Sequence, residues 1–326
     1  MKKFFKASMS AVSFFAILLC FMGVRLTAAV DRGSEFITVA TGPSSGIYFP
    51  IGAAFAEALK AGGYKTSSQS TGASAQNITM IQKGEAEIAI AMQDSVMQAY
   101  DGFGAYKTAD KNLRAMMRLW PNYVQLVTLE NTGIKSPADL KGKRVGVGAP
   151  NSGVELNARM IYEAYGLTYE DSKVDYLSYG EAIDQMKNGQ CDAAFVTSGL
   201  PNGTVMELAT QYKMVIVPID GAGRDGLVSK YPFFAKTVIP AGTYNNKEDV
   251  QSVFVYNIML VGKDIEADVV YDMMKVIFEN IGTIKASHNA ADKNIDVTFG
   301  VEDITIPLHD GAAKYWKEAG YKTPLN

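Results

Sequence analysis

The chain has 326 residues, 48% of them hydrophobic and 20% charged, a composition typical of globular proteins and long enough for two domains. Its formal net charge is −3, and it has no basic cluster that could follow a nucleic-acid backbone, so nucleic-acid binding is not expected. Of the two cysteines, Cys20 lies near the N-terminus and Cys191 begins a predicted buried strand, where it is expected to act as a small buried side chain.

The N-terminus has the features of a secretory signal peptide. Lys2, Lys3 and Lys6 precede an apolar run of 14 residues from Ala11 to Val24, and small residues up to Ala29 then offer a cleavage site. The run is shorter than the roughly 20 residues that a membrane-spanning helix needs. Cleavage after Ala29 would leave 27 basic and 34 acidic residues, a net charge of −7, with a single cysteine. We therefore expect a soluble mature protein in the periplasm, without an internal disulfide.

Short apolar strands alternate with helical patterns along the mature chain, which predicts an α/β fold. The predicted strands are Phe36 to Ala40, Lys65 to Ser70, Glu87 to Met92, Val124 to Leu129, Lys143 to Val147, Val174 to Leu177, Asp192 to Val196 and Val253 to Val261. The predicted helices are Tyr48 to Ala61, Ala75 to Lys83, Val154 to Tyr165, Glu181 to Lys187, Ala267 to Asn280 and Gly311 to Ala319, with a short helical turn at Ser136 to Leu140. Asp94 and Asp310 are predicted N-caps, and Gly221 to Gly226 is predicted to be a polar loop.

A weak internal similarity favours two related lobes. Lys83 to Ile90 and Asn188 to Phe195 each combine a helix end, a glycine stop, an acidic residue and an apolar strand. We interpret them as the same supersecondary unit used once in each lobe, the alternative being chance similarity between ordinary α/β units.

Polar, glycine-containing turns follow five of the predicted strands. They are Thr41 to Tyr48, Thr71 to Ser74, Gln93 to Ser95, Gly148 to Gly153 and Thr197 to Gly199. Ligands of open α/β sheets bind beyond the carboxyl ends of strands, where helix N-termini suit a carboxylate or a phosphate. One such turn alone could simply cap a helix, but five together favour a polar cleft, with Tyr48 as the expected aromatic contact.

Few residue patterns indicate catalysis. The chain has neither a Gly-x-Ser-x-Gly elbow nor a P-loop, and His288 and His309 are expected in surface turns or helix starts. No Cys/His cluster has metal-site spacing, so neither a metal nor another cofactor is expected. Gly146 to Gly148 matches a dinucleotide fingerprint only in part, since Asn151 stands where the third glycine would be. Three arginines could pair with a carboxylate, although none clearly adjoins a cleft turn: Arg118, Arg159 and Arg224.

The segment Thr41 to Gly52, which reads TGPSSGIYFPIG, resembles the opening motif of the TAXI solute receptors, the extracytoplasmic binding proteins of one branch of the TRAP transporters. The resemblance covers nearly the whole mature chain in the expected order. It continues through Ser70 to Asn77, Gly84 to Ala89, Asp139 to Gly148, Tyr231 to Phe234, Val238 to Tyr244 and Leu308 to Ala312. Two departures concern ligand identity: Pro43 to Ser45 replaces a run that is usually rich in Gly and Thr, and Ser198 stands where glycine is common.

The resemblance implies a two-lobed periplasmic-binding-protein fold, type II-like, with the ligand cleft between lobes joined by extended hinge strands. It also implies delivery of the ligand to the membrane permease subunits of a sodium-coupled TRAP system. Known family ligands include glutamate, glutamine and related organic acids. The predicted organisation is a signal peptide at 1–29, a first lobe formed by 30–123 and 239–326, and a second lobe formed by 124–238, with hinges near Val124 to Leu129 and Val238 to Tyr244.

The contacts to the ligand carried over by motif lie in the same turns that the strand pattern singles out. They are Ser44, Ser45, Gly46, Ile47, Tyr48, Thr71, Gly72, Ala73, Ser74, Asn77, Gln93, Asp94, Ser95, Asn151, Ser152, Gly153, Ser198 and Gly199. The sequence thus predicts a monomeric binding protein for a small carboxylate and no enzyme. Two alternatives stay open: a binding protein that reports its ligand to a membrane signalling receptor, and a periplasmic hydrolase, against which the missing nucleophile–base pair argues.

Overall fold

The structure is a computed structural model that describes residues 30–298 and 300–321. The predicted signal peptide lies outside the described residues. Within those two ranges, no helix is both long enough and apolar enough to cross a membrane.

Strands and helices alternate as the sequence predicts. The strands are β1 (Phe36–Ala40), β2 (Lys65–Gln69), β3 (Ile88–Met92), β4 (Leu113–Leu129), β5 (Arg144–Gly146), β6 (Lys173–Asp175), β7 (Ala193–Ser198), β8 (Met214–Val217), β9 (Ala235–Ile239) and β10 (Val250–Gly262). The helices are α1 (Tyr48–Ala61), α2 (Ser74–Lys83), α3 (Gln93–Asp101), α4 (Gly153–Ala164), α5 (Tyr179–Lys187), α6 (Gly203–Gln211), α7 (Gly221–Lys230), α8 (Ala267–Glu279), α9 (Ile281–Ser287), α10 (Asn289–Asn294) and α11 (Asp310–Glu318). The predicted capped turn is a 3-10 helix at Pro137–Leu140 that begins with Ser136.

Two long antiparallel strands, β4 and β10, connect the lobes. In the described chain the sheet order is β2-β1-β3-β10-β4-β7-β5-β6, with β8 added beside β4 and β9 beside β10. Tyr123 of β4 lies opposite Phe254 of β10. On one side of this pair, β3 joins β10, and on the other side β7 and β8 join β4 and β9 joins β10. One half of each long strand therefore belongs to each lobe, and the predicted two-lobed α/β architecture is confirmed.

The first lobe consists of β1 to β3, α1 to α3, α8 to α11 and the adjoining halves of the long strands. In α1, Ile51, Phe55 and Leu59 recur every four residues and are fully buried, so one face of the helix covers the sheet. The second lobe repeats this arrangement around β7 and β5, with α4 to α7 on its surfaces. In both lobes the parallel strands direct the N-termini of the following helices towards the gap between the lobes.

The predicted polar loop at Gly221 to Gly226 is wrong, because these residues form the first part of α7. Leu227 is buried, and α7 packs against α4. Gly223 lies against the ring of Tyr165, where an added Cβ would come within 2.6 Å of a ring carbon. The glycines that suggest a loop in the sequence therefore permit close packing of a helix.

The two predicted N-caps are also wrong by one residue or more. Helix α3 begins at Gln93, so Asp94 is its second residue and lies within the helix. The side chain of His309 caps α11 by accepting a hydrogen bond from the amide of Gly311 at 3.2 Å, which makes Asp310 the first helical residue. His288 caps α10 in the same way, so both histidines occupy helix starts.

The second crossing between the lobes is made by β10. Val238 and Ile239 end β9, which pairs with the first half of β10. Tyr244 accepts a hydrogen bond from the amide of Asn202, a residue of the second lobe. The segment from Val238 to Tyr244, which the sequence suggests as a hinge, therefore lies within the second lobe.

Candidate functional site

A cavity of about 70 Å³ lies between the two lobes, and four helices begin at its wall. The starts of α1 and α2 come from the first lobe, and those of α4 and α5 come from the second. The first amides of a helix have no partner within the helix, and its N-terminus carries partial positive charge. The positive ends of four helix dipoles therefore lie at the cavity wall.

Short-range hydrogen bonds hold three of these helix starts in place, those of α2, α4 and α5. The hydroxyl of Thr71 accepts a hydrogen bond from the amide of Ala73 and donates one to Asn77 at 2.6 Å. In the second lobe the hydroxyl of Ser152 accepts from the amide of Glu155, and Ser178 forms a reciprocal capping box with Glu181. These hydrogen bonds define the residues at which α2, α4 and α5 begin beside the cavity.

Thr197, at the end of β7, is a buried residue of the cavity wall with an unused polar group. Thr197 is only 3% exposed, and its Oγ1 has no hydrogen-bond partner among the described residues. Its carbonyl accepts a hydrogen bond from the hydroxyl of Tyr179 at 2.8 Å. A buried hydroxyl without a hydrogen-bond partner lowers the stability of the protein. A ligand that supplies the missing partner removes this cost.

Tyr48 lines the cavity with its ring, while its hydroxyl belongs to a buried network beneath the cavity. That hydroxyl donates to Asn257 of β10, and Asn122 of β4 donates to the same carboxamide oxygen at 3.0 Å. Trp120 in turn donates to Asn122 at 2.9 Å. Burial raises the pKa of Tyr48 well above its usual value, so the hydroxyl stays neutral. The network ties the start of α1 to the place where both long strands pass between the lobes.

The two lobes touch each other around the cavity. The hydroxyl of Thr204 donates to the carbonyl of Ser45 at 3.0 Å, which links α6 to the loop before α1. Gly153, the first residue of α4, lies so close to the first lobe that an added Cβ would come within 2.0 Å of Cε of Met92. The structure is therefore a closed form, in which the backbone of one lobe rests against side chains of the other.

Asp94 and Asn157 form a third contact between the lobes. The carboxamide of Asn157 in α4 donates to Asp94 in α3 at 2.8 Å, and both residues are fully buried. Burial raises the pKa of Asp94 to about 7, although the hydrogen bond from Asn157 and the backbone of Ser95 favour the charged form. The closed form therefore buries a carboxyl group that changes its charge near neutral pH.

About half of the residues carried over by motif line the cavity. Those in the cavity wall are Gly46, Ile47, Tyr48, Gly72, Ala73, Ser74, Ser152, Gly153 and Ser198. Those outside the wall are Ser44, Ser45, Thr71, Asn77, Gln93, Asp94, Ser95, Asn151 and Gly199. Several of the second group support the wall, such as Asn77, whose carboxamide donates to the carbonyls of Thr41 and Ile90.

Ten further wall residues are outside the set carried over by motif. Four of them belong to the turns predicted to form the cleft: Pro43, Gly148, Ala149 and Thr197. The sequence reasoning does not include the other six: Met92, Asn122, Val154, Leu177, Ser178 and Tyr179. Ser178 and Tyr179 carry a sequence signal, because Ser178 precedes Glu181 by three residues in the pattern of a capping box. Met92 and Leu177 carry none, since apolar residues beside a strand end are indistinguishable from core residues in a sequence.

None of the three candidate arginines lines the cavity. Arg118 pairs with Asp303 at 3.3 Å and lies over the ring of Tyr256. Arg159 pairs with Glu155 on the same helix, and Arg224 donates to Gln251. Each arginine thus has an acidic or amide partner away from the cavity.

A protein-family comparison covers most of the chain. The profile of the NMT1-like family matches residues 39–320, which include both lobes and the whole cavity wall. The chain belongs to the NMT1-like family. The match runs from within β1 to just beyond α11, so the structural elements of both lobes of this NMT1-like protein lie inside it.

Solved structures resemble this NMT1-like protein in fold. A protein from Bordetella bronchiseptica RB50 matches with a TM-score of 0.53 at 16% sequence identity, over 89% of this chain and 91% of that one. The periplasmic aliphatic sulphonate binding protein SsuA from Escherichia coli matches with a TM-score of 0.45 at 14% identity, over 78% of this chain and 72% of that one. The NMT1-like chain has the periplasmic-binding-protein fold, with β4 and β10 as the strands shared between its lobes.

Proposed function

We propose that this protein is an extracytoplasmic solute receptor that binds a small organic acid between its lobes. The convergence of four helix N-termini from both lobes on one cavity carries the proposal. Such a cavity favours an anion, because backbone amides and helix dipoles stabilise negative charge without a cationic side chain. The acids implied by the TAXI resemblance, glutamate, glutamine and related compounds, are the starting set for a search.

Binding would act on the equilibrium between open and closed lobes. A ligand shifts that equilibrium only as far as it binds the closed form more tightly. The first lobe would receive the carboxylate at the starts of α1 and α2, and closure would then bring α4, α5 and Thr197 onto it. We place the hinge in β4 and β10 around Asn122 and Asn257, where the buried network of Tyr48 lies.

We further propose that the closed receptor delivers its ligand to the membrane subunits of a TRAP-type, sodium-coupled system in the periplasm. The order of TAXI-like motifs supports this partner, and the periplasmic location of SsuA is consistent with the compartment. Deleting the gene in its host should abolish sodium-dependent uptake of the bound acid. Uptake that persists at the same rate, or that needs ATP hydrolysis instead of sodium, would contradict this partner.

A thermal-shift screen of the purified protein against small acids tests the proposed binding. A ligand at 100 times its dissociation constant stabilises the folded state by about 2.7 kcal/mol. We expect a clear rise in Tm with at least one short carboxylate. The protein should be unfolded and refolded before the screen, so that no acid carried through purification fills the cavity.

Thr197→Val should weaken ligand binding while leaving the free protein as stable as before. The change keeps the side-chain shape but removes a hydroxyl that has no partner in the described protein. Loss of the hydrogen bond to the ligand should cost about 1–3 kcal/mol, which is roughly 5- to 150-fold in affinity. Isothermal titration gives the affinity, and thermal unfolding gives the stability.

Thr128→Val is the matched control, because Thr128 in β4 donates to the carbonyl of Asp192 at 2.7 Å and lies outside the cavity wall. It should lower the Tm and leave the affinity unchanged. If Thr197→Val lowers the Tm by as much as Thr128→Val without weakening binding, Thr197 has no role in the site.

A further inference from the structure

The chemistry of the cavity wall narrows the class of ligand. Among residues 30–298 and 300–321, none that lines the cavity is Asp, Glu, Lys, Arg or His. Resting on the function proposed above, we propose that the ligand is a short monocarboxylate whose body carries no charge. Such a wall favours this ligand over the amino acids and dicarboxylates that the family resemblance puts first.

Amides and hydroxyls of the cavity wall can donate hydrogen bonds to the carboxylate of such a ligand. Four helix N-termini offer amides, and the unpartnered Oγ1 of Thr197 is buried in the wall. Ser198 accepts a hydrogen bond from Asn202 at 3.2 Å, so its own hydroxyl proton can be donated to a ligand. Backbone and hydroxyl donors are therefore available for a carboxylate without a cationic side chain.

The rest of the ligand would contact apolar side chains of the cavity wall. Ile47 and Met92 from the first lobe and Val154 and Leu177 from the second face the cavity, together with the ring of Tyr179. Burial raises the pKa of Tyr179, whose hydroxyl is occupied by the carbonyl of Thr197, so this side chain offers neither charge nor a free donor. Hydrocarbon placed among these groups gains transfer free energy, whereas an ion placed there loses its hydration.

No carboxylate in the cavity wall, as far as the chain is described, could pair with an ammonium group. The two buried carboxyl groups nearest in the chain to the wall are Asp94 and Glu155, and neither lines the cavity. Asp94 accepts a hydrogen bond from Asn157 through Oδ2, while its buried Oδ1 has no partner among the described residues. Glu155 accepts a hydrogen bond from the amide of Asn151 and pairs with Arg159. The positive ends of the four helices would also repel an ammonium ion.

The size of the cavity agrees with a short chain. An engineered protein cavity of about 150 Å³ holds one benzene molecule, with six carbon atoms. The cavity here has about half that volume, so it favours a short acid over glutamate with its ten non-hydrogen atoms.

Three four-carbon acids with one skeleton test the inference by isothermal titration of the refolded protein. Butanoate has one carboxylate, 2-aminobutanoate adds an ammonium group, and succinate adds a second carboxylate. We expect butanoate to bind at least tenfold more tightly than either of the other two, with 2-oxobutanoate as a second uncharged-body probe. Gly153→Val should abolish the binding, since it blocks closure of the lobes on the cavity.

The titrations separate two kinds of failure. Tighter binding of 2-aminobutanoate or succinate that Gly153→Val abolishes would overturn the inferred ligand class and leave the proposed receptor function standing. Binding that Gly153→Val does not change, or no binding by any of these acids or by glutamate and glutamine, would overturn the inferred class and the proposed site together.

Discussion

Gly153→Val is expected to lower ligand affinity by at least 100-fold without unfolding the protein. Gly153 begins α4 in the second lobe, and an added Cβ would come within 2.0 Å of Cε of Met92, the end of a flexible side chain that can turn away. The same Cβ would also lie 3.1 Å from Oγ of Ser74 and 3.3 Å from Cβ of Met92, both in the first lobe. The backbone of Gly153 is not in the left-handed region, so valine introduces no backbone strain. The two further methyl groups of valine would hold the lobes apart at these contacts, and an open cleft gives up the contacts of one lobe, at least about 2.7 kcal/mol of binding.

Gly203→Val provides a matched control for this variant. Gly203 is the first residue of α6, as Gly153 is of α4, but no atom lies within 4 Å of a Cβ added there. Both substitutions place a β-branched residue at the same helical position, so any effect on helix propensity is shared. Isothermal titration should show wild-type affinity for Gly203→Val and almost none for Gly153→Val. Equal affinities for the two variants would mean that the closed form is not the binding form.

Raising the pH from about 4 to about 7 is expected to destabilise the closed wild-type protein through Asp94. In the unfolded chain this carboxyl ionises near pH 4, whereas in the folded protein burial raises its pKa to about 7. Between these values the folded state binds more protons, so its stability falls as the pH rises, and the loss is complete above pH 7. The difference between the two pKa values corresponds to at most about 4 kcal/mol.

Asp94→Asn should remove this pH dependence and be more stable than the wild type at pH 8. The amide can still accept the hydrogen bond from Asn157, and its NH2 group can donate to Oδ1 of Asn157, which has no partner among the described residues. Since Asp94 and Asn157 belong to different lobes, ligand affinity of the wild type should also fall above pH 7 and that of the variant should not.

Asp101→Asn is the control for the charge change. Asp101 ends the same helix, is exposed, and pairs with Lys111 at the surface, where an ion pair contributes little. Denaturant unfolding at pH 5, 6, 7 and 8 should give parallel profiles for Asp101→Asn and the wild type, whereas the profile of Asp94→Asn should lack the loss of stability that ionisation of Asp94 causes. A profile of Asp94→Asn that follows the wild type would show that Asp94 is already ionised in the folded protein at pH 5.

Local patterns in the sequence are sufficient to predict most of the lobe architecture. Gly84 and Gly189 each end a helix in the left-handed conformation and lead into β3 and β7, the corresponding central strands of the two lobes. The predicted internal similarity between these segments is thus present as one supersecondary unit in each lobe. Helix α1 is predicted at both of its ends, because Pro50 and Gly62 mark its start and stop.

The sequence does not predict features that depend on tertiary contacts. Only the last third of β4 is predicted, since Arg118, Pro121 and Asn122 interrupt its apolar pattern where the strand passes between the lobes. β9 is missed because its buried face depends on pairing with β10. In the site, turn chemistry predicts the starts of α1, α2 and α4, but the apolar half of the wall has no local pattern. The inferred preference for an uncharged ligand body therefore comes from the structure alone.

A crystal structure of the protein with its bound acid tests the central claim most directly. We predict one carboxylate in the cavity between the lobes, with its oxygens about 3 Å from amides at the helix starts and from Oγ1 of Thr197. The closed contacts of Gly153 with Met92 should be present in the complex. An acid bound elsewhere, or bound in the cavity of one lobe while the other lobe stands open, would contradict the account.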